Sequence, residues 1–309
     1  MANYRGVDRY FVLTSETDWN TFEQDESAAT ILYPIGIGDD GVAMAVDPGQ
    51  NILETNVGHG IPFYINTGIN SYTGTINCPI TSGASGKALV EWGSKITSSN
   101  LDSNSLDIGG GESYERWTGL TVESMALSSG SDSGAQRLTG AFSLIGGNFD
   151  NSVTPDPYTE DVTKYSSGSG YLHSQAQLFL LGTSSGHVDT TVTDLTITVS
   201  NTLDVGNGTG TDPSYIQFCG RQVTLECTIE YDQSNFIDAF KASPPTSIEL
   251  QAKYTDGSDS LTLSLETAAK VTAFTPVNSL GARATSNITF LATSPTNPAG
   301  STATDFVVT

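Results

Sequence analysis

From about Asn51 onward the chain is written in short segments in which apolar and polar residues alternate, each broken by a cluster of Gly, Asn, Asp or Ser. A period of two puts every second side chain on one face of a strand, so these segments can bury their apolar halves only by pairing into antiparallel sheets. The composition agrees, with 32 glycines, abundant Ser and Thr, and few of the Ala, Leu, Glu and Lys that favour helix. An all-β fold is expected.

In the first half, Ile61 to Ile65 and Tyr72 to Ile80 read as a hairpin, with Tyr72, Gly74, Ile76, Cys78 and Ile80 on one face. Lys87 to Gly93 reads as a short helix, because Leu89 and Trp92 share a face and Gly93 can stop it. Thr118 to Leu127 then alternates with Leu120, Val122 and Ser124 inward, and Gln136 to Gly146 returns after a Gly/Ser/Asp turn over 128–134.

The second half repeats this order. Val192 to Val199 carries Leu195, Ile197 and Val199 on one face, and Arg221 to Ile229 returns with Val223, Leu225, Cys227 and Ile229 in step. Ser234 can cap a short helix whose stripe is Phe236, Ile237 and Phe240 and which Pro244 and Pro245 end. A last hairpin, Ser247 to Tyr254 and Leu261 to Leu265, turns at Asp256-Gly257, and Val271 to Phe274 and Asn287 to Ala292 supply closing strands.

Hairpin, short helix, hairpin thus occurs twice. The expected layout is an N-terminal arm over 1–40, a first β domain over 41–150, a linker over 151–172, a second β domain over 173–296 and a tail over 297–309. The arm shows no clear period, so its deletion is expected to harm assembly more than folding. Its aromatic residues Tyr4, Tyr10, Phe11, Trp19 and Phe22 are candidate contacts between subunits.

Two runs carry a family resemblance. Asp194 to Asn201, a polar stretch of about twenty residues taken as a loop, Gly220 to Tyr231, and the helix around Phe236 to Phe240 together resemble the core of phage tail tube proteins. Trp117 to Leu127 with Arg137 to Leu144 looks like a second version of that core. The resemblance covers about residues 50–295. It implies two tandem β-sandwich or barrel-like domains, each with a flanking helix, whose strands join neighbouring copies into a ring around an inner barrel. Rings then stack, made in the host cytoplasm and incorporated in the virion tail. Such pairing also removes sticky sheet edges. If one chain supplies two such folds, a ring of six needs three chains, the alternative being a hexamer. The partners implied are further copies of the chain, a tape measure protein, a tail terminator and distal tail proteins, with no membrane involved and DNA passing through without specific binding.

Charge bears on that expectation. With 12 Lys plus Arg against 34 Asp plus Glu the formal charge is −22, which repels phosphate and anionic lipid. Direct nucleic-acid binding is therefore disfavoured, while a wall that DNA slides past is served well. Glu123, Glu226, Glu230 and Glu249, on polar faces of the hairpins, are the candidate lumen-facing acids.

Nothing in the sequence points to catalysis, and no cofactor or metal is expected. His59, His173 and His187 all look like loop residues, and no GxSxG, P-loop or HExxH pattern is present. The acidic turns at Asp39-Asp40, Asp204 to Asn207 and Asp256 to Asp259 lack the ligand ladder of a calcium loop. Cys78, Cys219 and Cys227 form no CxxC pair and are expected as small core residues. Residues 1–20 carry Arg5, Asp8, Arg9, Glu16 and Asp18, so no leader is expected there, and the acceptor patterns at Asn207 and Asn287 are read as chance. Two other classes share this texture: a capsid decoration or fibre protein, and a carbohydrate-binding surface module.

Overall fold

The computed structural model describes residues 10–22, 30–31, 41–49, 51–53, 64–66, 68–94, 96–97, 100–110, 113–131, 136–151, 170–181, 192–230, 241, 248–277, 285–292 and 307–309. In chain order the elements are β1 (Tyr10–Ser15), β2 (Thr30–Ile31), β3 (Val42–Asp47), β4 (Asn51–Leu53), β5 (Tyr64–Asn66), β6 (Ser71–Pro79), α1 (Ala84–Ser94), β7 (Ile96–Thr97), β8 (Asn100–Leu101), β9 (Asn104–Gly110), β10 (Ser113–Gly130), β11 (Thr139–Gly146) and β12 (Asn148–Asp150). A 3-10 turn at His173–Gln175 leads into β13 (Ala176–Leu181), β14 (Val192–Asn207), β15 (Pro213–Glu230), β16 (Ile248–Asp256), β17 (Asp259–Val277), β18 (Thr285–Ala292) and β19 (Val307–Val308). The chain is all-β with α1 against the sheet.

Two long strands organise the molecule by changing partners along their length. The first part of β10, up to Leu120, pairs with β9 and β12, whereas from Thr121 it pairs with β11 and then β14. The register breaks between Trp117 and Leu120, and there Gly119 adopts φ +66, a conformation that costs a side-chain-bearing residue more than glycine. In the other half β17 pairs with β16 up to Ala269 and with β18 from Ala269 onward.

The remaining parts of these two strands bound an unbroken antiparallel run of eight: the C-terminal half of β17, then β18, β15, β14, β10, β11, β6 and β3. The β10–β14 ladder, Ser124 opposite Ser200 through Gly130 opposite Asp194, carries this run across the expected domain boundary. Along it one face is buried in regular alternation, as at Tyr72, Ile76 and Cys78 on β6 or Leu195, Ile197 and Val199 on β14. These side chains join a core cluster with residues from both halves, among them Trp92, Phe142, Leu225 and Phe290. Trp92 of α1 stacks on Phe142 at 6.2 Å, which anchors the helix. Each fully buried Leu, Ile or Phe stabilises by about 1.5–3 kcal/mol.

Several expectations need correcting. Among the described residues β5 pairs with β4, not with β6, whose neighbours are β3 and β11. Proximity in sequence misled there. Ser124 is not inward: Glu123 is an extra residue in a bulge after Val122, the phase shifts, and Met125 and Leu127 take the buried positions. The polar stretch after Asn201 is not a loop but the far end of the β14–β15 hairpin, which stays paired to Asn207 opposite Pro213. Val271 to Phe274 belongs to β17. Asp256-Gly257 does form the β16–β17 turn, and α1 covers the expected first helix. The helix expected at Phe236 to Phe240, and residues 152–169 of the linker, lie outside the described residues.

The N-terminal segment is more than an arm. β1 pairs over its whole length with β9, Tyr10 opposite Gly109 to Ser15 opposite Asn104, and Val12, Leu13 and Thr14 are buried. Three consecutive buried residues carry no period of two, which is why the strand was not visible as one.

Candidate functional site

The eight-strand run leaves one face to solvent, and its side chains fall into cross-strand rows. Thr75, Ser143, Ser124, Ser200 and Gln222 stand opposite one another on β6, β11, β10, β14 and β15. The next row is Asn77, Ala141, Ala126, Thr198 and Thr224, and the one after it is Thr139, Ser128, Thr196, Glu226 and Thr289. Short hydroxyl side chains bond to their neighbours instead of reaching outward: Ser128 Oγ and Thr139 Oγ1 lie 3.1 Å apart, and Thr228 Oγ1 donates to Asn287 Oδ1 at 3.0 Å. The result is a low, uncharged carpet of small polar groups with isolated acids.

Those acids include two of the four expected ones. Glu123 projects from the β10 bulge and Glu226 stands opposite Thr196, both exposed, with Asp194 one row away opposite Thr228. Asn201 Nδ2 donates to Val122 O at 2.9 Å and pins the strand beside the Glu123 bulge. Glu230 is opposite Thr285 at the end of β15, its side chain outside the described residues, while Glu249 lies on β16 opposite Leu181, away from the run. Asp194 was missed by sequence reasoning, although its place beside Leu195 in the alternation marked it. Lys270, on the same face, is the partly exposed cation of β17's second half.

Of the expected contact aromatics, Tyr4 lies outside the described residues, Tyr10 takes the register position opposite Gly109, and Phe11 packs partly against the core. Trp19 lies over Gly119 and Gly147, where a methyl group on either glycine would come within 3.1 and 2.8 Å of its ring. Phe22 stacks under the Arg116 guanidinium at 3.2 Å, and Arg116 in turn makes a two-point contact with Asp107 at 2.7 and 2.8 Å. Glu16 accepts from Ser105 Oγ at 2.5 Å, from the Gly119 amide at 2.9 Å and from the Asn20 amide at 2.9 Å. This segment is therefore fastened within its own subunit over 10–22.

The far end of the β14–β15 hairpin folds back on the first half. Asp212 Oδ1 accepts from Tyr72 OH at 2.6 Å and Asn70 Nδ2 at 2.7 Å, and the Asn70 amide donates to Thr211 O at 2.7 Å. Burial, with the Asp212 hydrogen bond added, pushes the Tyr72 phenol up to about 12. Arg221 also donates to Ser94 O at the end of α1.

His173 is not a loop residue. It is buried, with Nδ1 3.0 Å from Ser129 Oγ and Nε2 2.9 Å from Val192 O, and Ser129 Oγ is 2.8 Å from Tyr254 OH. A network drawing on β10, β14 and β16 ties the two halves and engages both imidazole nitrogens. His59 and His187 lie outside the described residues. Cys78 and Cys227 are core residues as expected, but Cys219 is exposed on β15.

A family model described as phage tail tube protein matches residues 6–309. The chain belongs to the phage tail tube family. Among curated proteins no match was found. This tail tube protein is thus a structural component of the virion tail, from a family not known for enzymes, and its β-rich architecture matches that assignment. The hydroxyl carpet is its candidate functional surface.

Proposed function

We propose that copies of this protein close into rings that stack into the tail tube, and that the hydroxyl-rich face of the eight-strand run is the wall DNA passes. The observation that carries this reading is the face itself: a one-sided sheet whose exposed side is built of Ser and Thr rows with Glu123, Asp194 and Glu226 and few cations. Phosphates find almost no Lys or Arg to exchange for their counterions there, so DNA is repelled weakly and held nowhere.

Three chains per ring fit the size of the run. At a spacing of about 4.8 Å and a tilt of about 40°, about 24 strands close into a barrel about 48 Å across between backbones, whereas six chains would double that diameter. The smaller barrel leaves room for a duplex without wasted bore. Three chains bring a formal charge of about −66 per ring. Stacking, the tape measure, terminator and distal tail proteins as partners, and DNA delivery through the lumen complete the reading.

Negative-stain microscopy of the purified protein over a range of salt and concentration tests it. Hollow rings or tubes are expected; solid knobs, spikes or a persistent monomer at high concentration overturn it.

A further inference from the structure

The eight-strand run ends in two strands that have a neighbour on one side only among the described residues: β3, paired to β6, and β17 beyond Ala269, paired to β18. Every pairing between them is antiparallel. With an even number of strands, the first and last run in opposite directions. A rotation about an axis along the barrel preserves each strand's direction, so β3 of one copy meets β17 of the next antiparallel, without a change of pairing type anywhere around the ring.

Resting on the ring reading above, we infer that the seam between copies is an antiparallel β3–β17 ladder set by Asp47 opposite Lys270. The two residues are the charged side chains of these two stretches, Val42–Asp47 and Ala269–Val277. Starting from that pair, Val46 faces Val271, Ala45 faces the Thr272–Ala273 bulge, Met44 faces Phe274, Ala43 faces Thr275 and Val42 faces Pro276.

Each of these matches keeps its face. Val42, Met44 and Val46 stand opposite Ile76, Gly74 and Tyr72 of β6, and Val271 and Phe274 stand opposite Phe290 and Ile288 of β18, so both sets belong to the core side. Ala43 and Ala45 stand opposite Thr75 and Thr73, and Ala273 and Thr275 opposite Thr289 and Asn287, on the hydroxyl side. A slip by one residue would put every core side chain on the wrong face. A slip by two would separate the charges. The seam also covers apolar groups that a single copy leaves open: Val46 is 39% exposed, and Met44 and Phe274 are only partly buried. Pro276, lacking an amide donor, sits at the last position of the ladder, where such a residue is tolerated.

The test uses a Cys219→Ser background, since that thiol is exposed. Ala43→Cys with Thr275→Cys is oxidised after assembly and run on a denaturing gel. Cross-strand neighbours lie about 4.5–5.5 Å apart, within disulfide reach after slight adjustment, so a covalent ladder ending at the closed ring is expected, and neither single variant should give one. In parallel, Asp47→Lys and Lys270→Asp should each raise the protein concentration needed for ring formation about fivefold, and the double exchange should restore it. Circular dichroism on each variant separates lost assembly from lost folding. If the parent protein forms rings but the double cysteine variant yields no ladder and the charge exchange gives no rescue, the seam lies elsewhere while the tube reading stands. If the parent protein forms no rings, both fall together.

Discussion

Replacing Glu16 by Ala removes a carboxylate on which three donors converge, Ser105 Oγ and the amides of Asn20 and Gly119. Two of these lie on β9 and on the kinked part of β10, so the carboxylate fastens the N-terminal segment to the fold. A hydrogen bond to a charged acceptor contributes about 1.5–3 kcal/mol when buried, and partial exposure reduces this to about 1 each, giving about 3 kcal/mol in all. Unfolding entropy of about 2.1 cal/mol/K per residue turns that into a drop in Tm of about 5 °C for a chain of 309 residues. Glu16→Gln keeps one acceptor oxygen and should lose about half as much. The measurement is a thermal melt of dilute, unassembled protein followed by circular dichroism, because assembly would add a concentration-dependent stabilisation. A Glu16→Ala variant melting within about 1 °C of the parent would refute the reasoning, and the segment over 10–22 would then count as an arm after all.

The lumen assignment predicts that Glu123→Lys with Glu226→Lys leaves ring formation intact but makes the tubes retain DNA at low salt, releasing it as salt rises; a filter-binding titration reads this, and unchanged retention contradicts it. Of the three thiols only Cys219 should react with a maleimide in the folded protein at about pH 8, since burial pushes Cys78 and Cys227 up to about 12; mass spectrometry should count one adduct, and three after denaturation. Asp212→Ala should lower the Tyr72 phenol from about 12 without returning it fully to its ordinary value, because burial remains the larger cause, and an ultraviolet absorbance titration follows the change. Because the folded phenol ionises above the unfolded one, its contribution to stability is complete below about pH 10 and is lost as pH rises toward about 12.

Strand positions were readable where one face of a strand is buried and the other wet, as on β6, β11, β14, β15 and β18. Segments buried on both sides were not: Val12 to Thr14 and the β9 run around Leu106 and Ile108 show no alternation because both faces are covered. The opposite case hid the distal β14–β15 hairpin, whose residues beyond Asn201 are largely exposed and so carry no apolar rhythm. Bulges defeated the period in a third way, since one extra residue at Glu123 moved the inward set from Ser124 to Met125. Partner choice was the least visible property. Nothing local in Tyr64 to Asn66 says that it pairs backward to β4 and not forward to β6.

The candidate surface was half legible. Glu123 and Glu226 were picked from polar positions in good alternating strands, and both fall on the same exposed face. Glu249 was picked by the same rule on β16, yet β17 shifts partners and takes its second half into the run without β16. Such a shift depends on contacts made far along the chain, which a local pattern does not encode.

The β10–β14 ladder has a consequence for the order and speed of assembly. Because it is made within one chain, a six-fold wall of three chains, as proposed above, would have half of its seams closed at folding, before any encounter between molecules. Each chain added costs on the order of 4–15 kcal/mol in lost translational and rotational freedom, and the last seam closes within the assembled particle, so a ring of three chains would meet that cost on fewer occasions than one of six. Partial rings then have fewer forms, and each dissociates as a larger piece. In the proposed ring, a covalent join between halves would thereby favour complete rings over stalled arcs even when the individual seam is weak.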